Sequence, residues 1–262
     1  MSDSDHLFPS FILDPVPTSL WRQATTIEGT RLGFCENCGF LHVDPYPPAE
    51  YLARYYSGYE MPTPQANLAE TARLLARNLD PAATVIDMGC GDGSFLQEMF
   101  ALGFHSLVGF DQSQGWAVQL SAVSGDSSRQ ASGNFWRKPK DGHIAGDAVV
   151  MVNVLEHVAE PLDLLRRIRR LLSSQGKLCV TVPNDFSPLQ KGLSQVRGIC
   201  HGLFVCRDHL NYFDFKTLEN ALTKTGFRVT DQSALYPLEL FLLQDLDYMR
   251  IRNSGRWHTN GG

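Results

Sequence analysis

A chain of 262 residues, 43% of them apolar and 19% charged, can bury one large α/β core, alone or with a small appendage, and lacks the bias of a disordered or fibrous protein. Its net charge of −5 argues against the broad basic face that nucleic acid requires, and no run of about 18 apolar residues marks a membrane span. The acidic start Met1–Asp5 is unlike a signal peptide, and the six cysteines are scattered rather than spaced as a disulfide framework, so a cytoplasmic protein with reduced thiols is expected.

Residues 1–64 form a first, Pro-rich region. Pro9, Pro15, Pro17, Pro45, Pro47, Pro48, Pro62 and Pro64 are eight of the fourteen prolines, which leaves little room there for a long helix. Within it, Cys35-x-x-Cys38-Gly39 is flanked by Arg31–Phe34 and Phe40–Val43, a pattern for a small hairpin whose turn carries both thiols. Structural zinc takes four ligands and this pair supplies two, with His6 the one further donor upstream. A metal-free turn is therefore favoured over bound zinc; if zinc binds, Cys35 and Cys38 are its ligands, and His6 or His42 are the first further donors to test. Ala49–Ser57 reads as a helix, with Tyr51, Leu52, Tyr55 and Tyr56 making one apolar face.

Pro62 and Pro64 lead into a second region, 65–249. Leu68, Ala72, Leu75 and Leu79 follow a helical stripe over Ala66–Leu79, ended by Asp80-Pro81. Thr84–Met88 is a short apolar run with the character of a buried parallel strand, and it breaks into Gly89, Gly91 and Gly93. Asp92 or Ser94 can then cap a helix from about Phe95 to Leu102. Such a turn brings a ligand close to backbone amides at a positive helix end. The spacing Asp-x-Gly-x-Gly-x-Gly differs from that of dinucleotide folds, which separate the last two glycines by two residues to wrap a pyrophosphate.

Leu107–Phe110 makes the next strand and ends on Asp111, close to the offset at which an acid meets ribose hydroxyls in such sheets; capping a helix that begins near Gln114 is compatible with that role. Asn134–Trp136 is a weak third strand. Asp147–Asn153 is a buried fourth, running into Val154-Leu155-Glu156-His157-Val158 and the amphipathic helix Leu162–Leu172. Arg166, Arg167, Arg169 and Arg170 read as the solvated face of that helix. Lys177–Val182 is a fifth strand. Residues 185–208 have no clear period; Cys200, His201 and Cys206 there, with His209, are poorly spaced for one metal ion. A final strand pair is expected over Arg228–Leu235 and near Leu238–Leu243, with 250–262 as a tail.

The Asp87–Gly93 stretch resembles motif I of class I S-adenosylmethionine-dependent methyltransferases, and the strand with Asn153–Val158 resembles the motif that follows their fourth strand. His209-Leu210-Asn211-Tyr212-Phe213 through Gly226-Phe227 is similar to a stretch near the end of many of these enzymes. The Cys-x-x-Cys turn, Asp44–Pro48 and the Tyr-rich helix resemble the zinc-ribbon lead-in of a subfamily that includes sugar C-methyltransferases, although the first cysteine pair of that subfamily is missing here. The resemblance implies a Rossmann-like, doubly wound, mostly parallel seven-stranded sheet, with the Cys-x-x-Cys hairpin as a small N-terminal segment and residues 185–208 as a substrate cover. It also implies S-adenosylmethionine as cofactor, held by Asp87, Gly89, Cys90, Gly91, Gly93, Asp111, Gln112, Asn153 and Val154, with Tyr56 or Tyr59 closing over it.

Methyl transfer from a sulfonium needs approach geometry and desolvation, plus a base where the nucleophile carries a proton. His157 and His209 stand in family-matched positions with a suitable unperturbed pKa, or are structural histidines bonded to backbone carbonyls. The expected partner is a small-molecule methyl acceptor, such as a sugar or biosynthetic metabolite, with no nucleic acid or membrane. The competing readings are a non-catalytic S-adenosylmethionine-binding or regulatory protein on the same fold and, disfavoured by the glycine spacing, a nicotinamide oxidoreductase.

Overall fold

A computed structural model of the chain describes residues 21–27, 30–48, 50–52, 65–111, 146–190, 192 and 209–234. In chain order these form β1 (Trp21–Ile27), β2 (Thr30–Cys35), β3 (Phe40–Val43), α1 (Gln65–Ala76), β4 (Thr84–Met88), α2 (Ser94–Ala101), β5 (Ser106–Phe110) and β6 (Gly146–Val152). A single 3-10 turn at Leu155–His157, α3 (Pro161–Leu171), β7 (Leu172–Thr181), β8 (Asn211–Tyr212) and α4 (Phe215–Lys224) follow.

Two sheets organise the described residues. The first is parallel, in the order β5-β4-β6-β7, with Ile86 paired to both Val108 and Val149. The alternation of side chains along a strand divides its core between two faces. Val85, Ala148 and Val150 join Leu68, Leu75, Phe95 and Met99 of α1 and α2. Ile86, Val149 and Met151 join Leu162, Leu165 and Ile168 of α3. Pro161 begins α3 at its first turn, where its missing N–H costs nothing.

The second sheet is antiparallel, in the order β1-β2-β3-β8. Its β2 and β3 are joined by residues 36–39, where Gly39 takes φ +88° and donates its N–H to the Cys35 carbonyl at 2.7 Å. This sheet is not a separate body. Phe40 of β3 and Phe213, just after β8, stack at 4.6 Å between ring centroids and lie in the same core as Ile86 and the α3 leucines. Burial of a ring of this kind is worth about 1.5–3 kcal/mol, so the antiparallel sheet and the α3 face of the parallel sheet stabilise each other.

The structure departs from the sequence reading at three places. Gly93, in the left-handed region at φ +80°, occupies the N-cap position of α2, and no side chain caps the helix; Asp92 Oδ1 instead accepts from Ser94 N at 2.9 Å in a local turn. β7 begins at Leu172, because Leu172 pairs with Gly146 before the register slips to Ala148–Lys177. Residues 228–234 carry no strand, and Thr230–Ala234 include no buried side chain to hold one against a core. Among the described residues the parallel sheet has four strands. The expected third strand at Asn134–Trp136, the pair at 238–243, Gln112, Tyr59, residues 193–208 and the tail lie outside the described residues. Among those described, no helix is long and apolar enough to cross a membrane.

Candidate active site

The turn after β4 is shaped by three left-handed glycines, Gly89, Gly91 and Gly93, at φ +78°, +49° and +80°. Gly89 N and Cys90 N donate to the Phe110 carbonyl at 2.7 and 3.1 Å, which ties the turn to the end of β5. One residue further, Gly91 N donates to Asp111 Oδ2 at 2.8 Å. The two glycines differ in what surrounds them. A Cβ at Gly89 would lie 2.5 Å from Val154 Cγ2, so this position packs the turn against the segment after β6. Among the described residues a Cβ at Gly91 would meet nothing within 4 Å, so there that position opens onto space where a ligand can approach the backbone.

Electrostatics at this edge are unusual. Asp87 is buried at 2% exposure, and burial first, then the charge of Asp111, pushes its carboxyl up to about 8. A carboxyl in this state gains from a cation placed beside it. The Cys90 thiol is pushed far up by burial first, then by Asp87, and is inert as a nucleophile. Cys179, raised to about 11 by burial, is likewise a core thiol.

The segment after β6 supplies the other wall. Asn153 sits at φ +53°, a left-handed conformation that asparagine tolerates better than most residues, and its N–H donates to the Thr181 carbonyl at 3.0 Å. Val154 then reaches Gly89. Glu156 is fully buried, and its Oε1 lies 3.8 Å from His157 Nε2. The His157 and His209 rings meet edge to face at 4.9 Å between centroids, and Tyr212 continues the row 6.1 Å from His209. Glu156, His157 and His209 bring one ligand-capable atom each within 4.8 Å of one another. Residues far apart in the chain thus converge on the segment whose Val154 touches the glycine turn. Glu156 carries no role in the sequence reading, although a charged residue inside the apolar run 154–158 was the available signal.

The Cys-x-x-Cys turn forms a second cluster. Cys38 N donates to Cys35 Sγ at 3.4 Å, and His42 brings a ring nitrogen within 4.8 Å of both thiols. Burial pushes the Cys38 thiol up to about 12, with Cys35 adding to it, and pulls His42 down to about 4, which keeps the imidazole neutral at physiological pH. Two thiols and a neutral imidazole are a donor set that zinc accepts, one short of a closed tetrahedron. Of the two further donors that the sequence offers, His6 and His42, it is His42 that stands beside the thiols, brought there by the β2–β3 register, with Gly33 opposite His42 and Cys35 opposite Phe40.

A family model described as a methyltransferase domain matches residues 59–232, more than half of the chain. The tRNA U34 carboxymethyltransferase of Edwardsiella ictaluri (strain 93-146) is 35% identical over 106 residues, covering 38% of this chain. The match spans about a third of that relative's own length, 33%. Among solved structures, the plantazolicin methyltransferase BpumL in complex with SAH is 16% identical, with TM-score 0.49, over 81% of this chain and 87% of that one. An S-adenosylmethionine-dependent methyltransferase from Mesorhizobium loti is 18% identical, with TM-score 0.46, over 64% and 85%.

Proposed function

The chain belongs to the methyltransferase-domain family, and from that premise we propose that it transfers a methyl group from S-adenosylmethionine to a small-molecule acceptor. The observation that carries this reading is the position at Gly91, open among the described residues and bonded to Asp111, in a turn whose Gly89 packs against Val154 of the segment that carries His157. When bound, the cofactor supplies an electrophilic methyl group. The chain's own residues would then act as follows. Asp111 accepts from the ribose hydroxyls, and Asp87 places a buried carboxyl near the cofactor's positive charge. Gly89, Cys90, Gly91 and Gly93 offer backbone rather than side chain, Asn153 and Val154 form the facing wall, and Gln112 and Tyr59, which lie outside the described residues, are cofactor contacts on the family resemblance alone.

For the acceptor, His157 and His209 are the groups that take up a proton. Glu156 Oε1, 3.8 Å from His157 Nε2, is the acidic group nearest to that ring in this proposal. The net charge of −5 supports a small acceptor, a sugar or another biosynthetic metabolite, over the tRNA in the name of the carboxymethyltransferase relative. The Cys35, Cys38 and His42 cluster would hold any zinc in a structural role.

Calorimetric titration with S-adenosylmethionine and, separately, with NAD tests the cofactor. Saturable binding of the first and none of the second is expected, and the reverse overturns the reading. Turnover with a panel of hydroxylated metabolites and bulk tRNA then separates an enzyme from a non-catalytic binder and identifies the acceptor class.

A further inference from the structure

One fully buried side chain joins the antiparallel sheet to the turn that carries His157. Asn211 of β8 lies opposite His42 of β3 and has no exposed surface. Its amide Nδ2 donates to the carbonyls of Leu155 at 3.2 Å and Val158 at 2.6 Å, the two ends of the segment that contains Glu156 and His157. Its Oδ1 accepts from Tyr46 OH at 3.1 Å, and the same hydroxyl bonds His42 Nδ1. Next door, Leu210 N donates to the Glu156 carbonyl at 2.8 Å, and Leu210 O accepts from Val43 N at 2.9 Å. With two carbonyls demanding donors on one side and a hydroxyl donor on the other, the orientation of the amide is determined by its neighbours.

We propose that Asn211 is a positioning residue for methyl transfer: by clamping Leu155 and Val158 it sets the His157 imidazole against His209 and holds Val154 against Gly89. The proposal rests on the methyltransferase reading for its consequence in catalysis, and on the hydrogen bonds alone for its mechanics. A short 3-10 turn has few internal bonds, so its path depends on what caps its carbonyls. Here the caps come from a strand more than fifty residues away in sequence. Misplacing a reacting group by an ångström is enough to cost about 100-fold in rate. Strand β8 therefore does more than lengthen the small sheet. It carries the position of β3 and Tyr46 into the site.

The test uses the full chain labelled with 13C,15N-histidine, and follows His157 and His209 by NMR through a pH titration, together with the dissociation constant for S-adenosylmethionine. Asn211→Asp keeps the shape but turns an acceptor towards two carbonyls, and Tyr46→Phe removes the donor to Oδ1 while leaving the buried rings of Phe40 and Phe213 in place. Asn211→Asp should move the His157 midpoint by roughly half a pH unit or more, since Glu156 and His209 face that ring. It should also weaken cofactor binding by about three- to tenfold through the Val154–Gly89 contact. Tyr46→Phe should move both in the same direction by less, and it decides the matter if Asn211→Asp does not fold. Unchanged His157 resonances and affinity in a folded variant, with only the melting temperature lowered, would show a structural residue and overturn the proposal. If the unaltered chain fails to bind S-adenosylmethionine, the methyltransferase reading falls, while the histidine titrations still decide what Asn211 positions.

Discussion

The two sheets reach the same edge of the molecule by different routes. In the parallel sheet each residue of the proposed site follows its strand directly: the glycine turn follows β4, Asp111 follows β5, and Asn153 and Val154 follow β6. In the antiparallel sheet the decisive pairing is remote, since Tyr46 and Asn211 stand 165 positions apart. Local strand–turn–loop units write their chemistry into contiguous motifs, whereas a sheet closed by a distant strand writes it into none. The practical lesson is that the N-terminal region and the family-matched region 59–232 share one sheet, because β3 lies outside that range and β8 inside it.

The sharpest way to break the comparison is at the ring that serves both sheets. Phe213 stacks on Phe40 and lies in the core with Ile86 and Leu165. Phe213→Ala should cost about 3–5 kcal/mol, read as a large fall in the denaturant midpoint. If the two sheets are one cooperative unit, intrinsic fluorescence and amide circular dichroism will report a single transition in the unaltered protein. Separate transitions would show that the small sheet unfolds by itself.

A second substitution acts on the parallel sheet alone. Asp111→Ala removes the acceptor for Gly91 N and, on the proposed reading, for the ribose. S-adenosylmethionine binding should weaken by roughly 1.5–3 kcal/mol, as expected for hydrogen bonds to a charged group. The Tyr46 and Asn211 bonds should survive, so a calorimetric affinity unchanged by the substitution sinks the assignment.

These two regions were also unequally legible in the sequence. Val85 and Ile86 with Gly89, Gly91 and Gly93 mark strand, turn and ligand edge within ten residues, because parallel burial demands apolar runs and a close ligand demands missing side chains. Position 93 was harder. Asp92 and Ser94 both have N-cap chemistry, yet the backbone reaches the helix through Gly93 in the left-handed region, and a cap is decided by dihedral angles that composition does not encode. Asn211 and His42 were illegible as partners for a simpler reason. Neither sits in a local pattern that states its role, and their meeting depends on a strand pair formed across most of the chain. Glu156 stood in view between Leu155 and His157, but its complete burial is a property of packing.

The buried carboxyl gives a smaller effect with opposite signs in two measurements. Asp87 holds its proton up to about pH 8 when folded, against an ordinary value near 3.8. The folded chain therefore binds a proton that the unfolded chain has shed, and the contribution of this group to stability falls as pH rises from about 4 to about 8. A cation bound beside it favours the carboxylate, so cofactor binding should release a proton below pH 8 and tighten with rising pH, by at most about tenfold per unit. Calorimetry in buffers of different ionisation enthalpy measures that proton directly. Binding heats that do not depend on the buffer at pH 7 would remove Asp87 from the cofactor's surroundings.

The smallest expected effect belongs to the Cys-x-x-Cys turn, and it tests whether the antiparallel sheet needs a metal at all. Cys35, Cys38 and His42 offer three donors, and the first cysteine pair of the resembling zinc ribbons is missing. A three-donor site leaves one position to solvent and holds zinc less firmly than a closed one. Binding must also remove the proton from Cys38, whose thiol burial pushes up to about 12. The sheet meanwhile has other support: Phe40 against Phe213, the Tyr46–Asn211 bond, and Lys224 Nζ donating to the Asn37 carbonyl at 3.1 Å across the turn itself. We therefore expect less than one zinc per chain by elemental analysis. Cys35→Ser with Cys38→Ser should shift the melting temperature by no more than about 4 °C, the size of a change near 1 kcal/mol. One tightly held zinc per chain, lost in the double variant together with a much larger fall in melting temperature, would reverse this. It would make the metal, rather than the shared aromatic core, the element that secures β3 beneath Asn211.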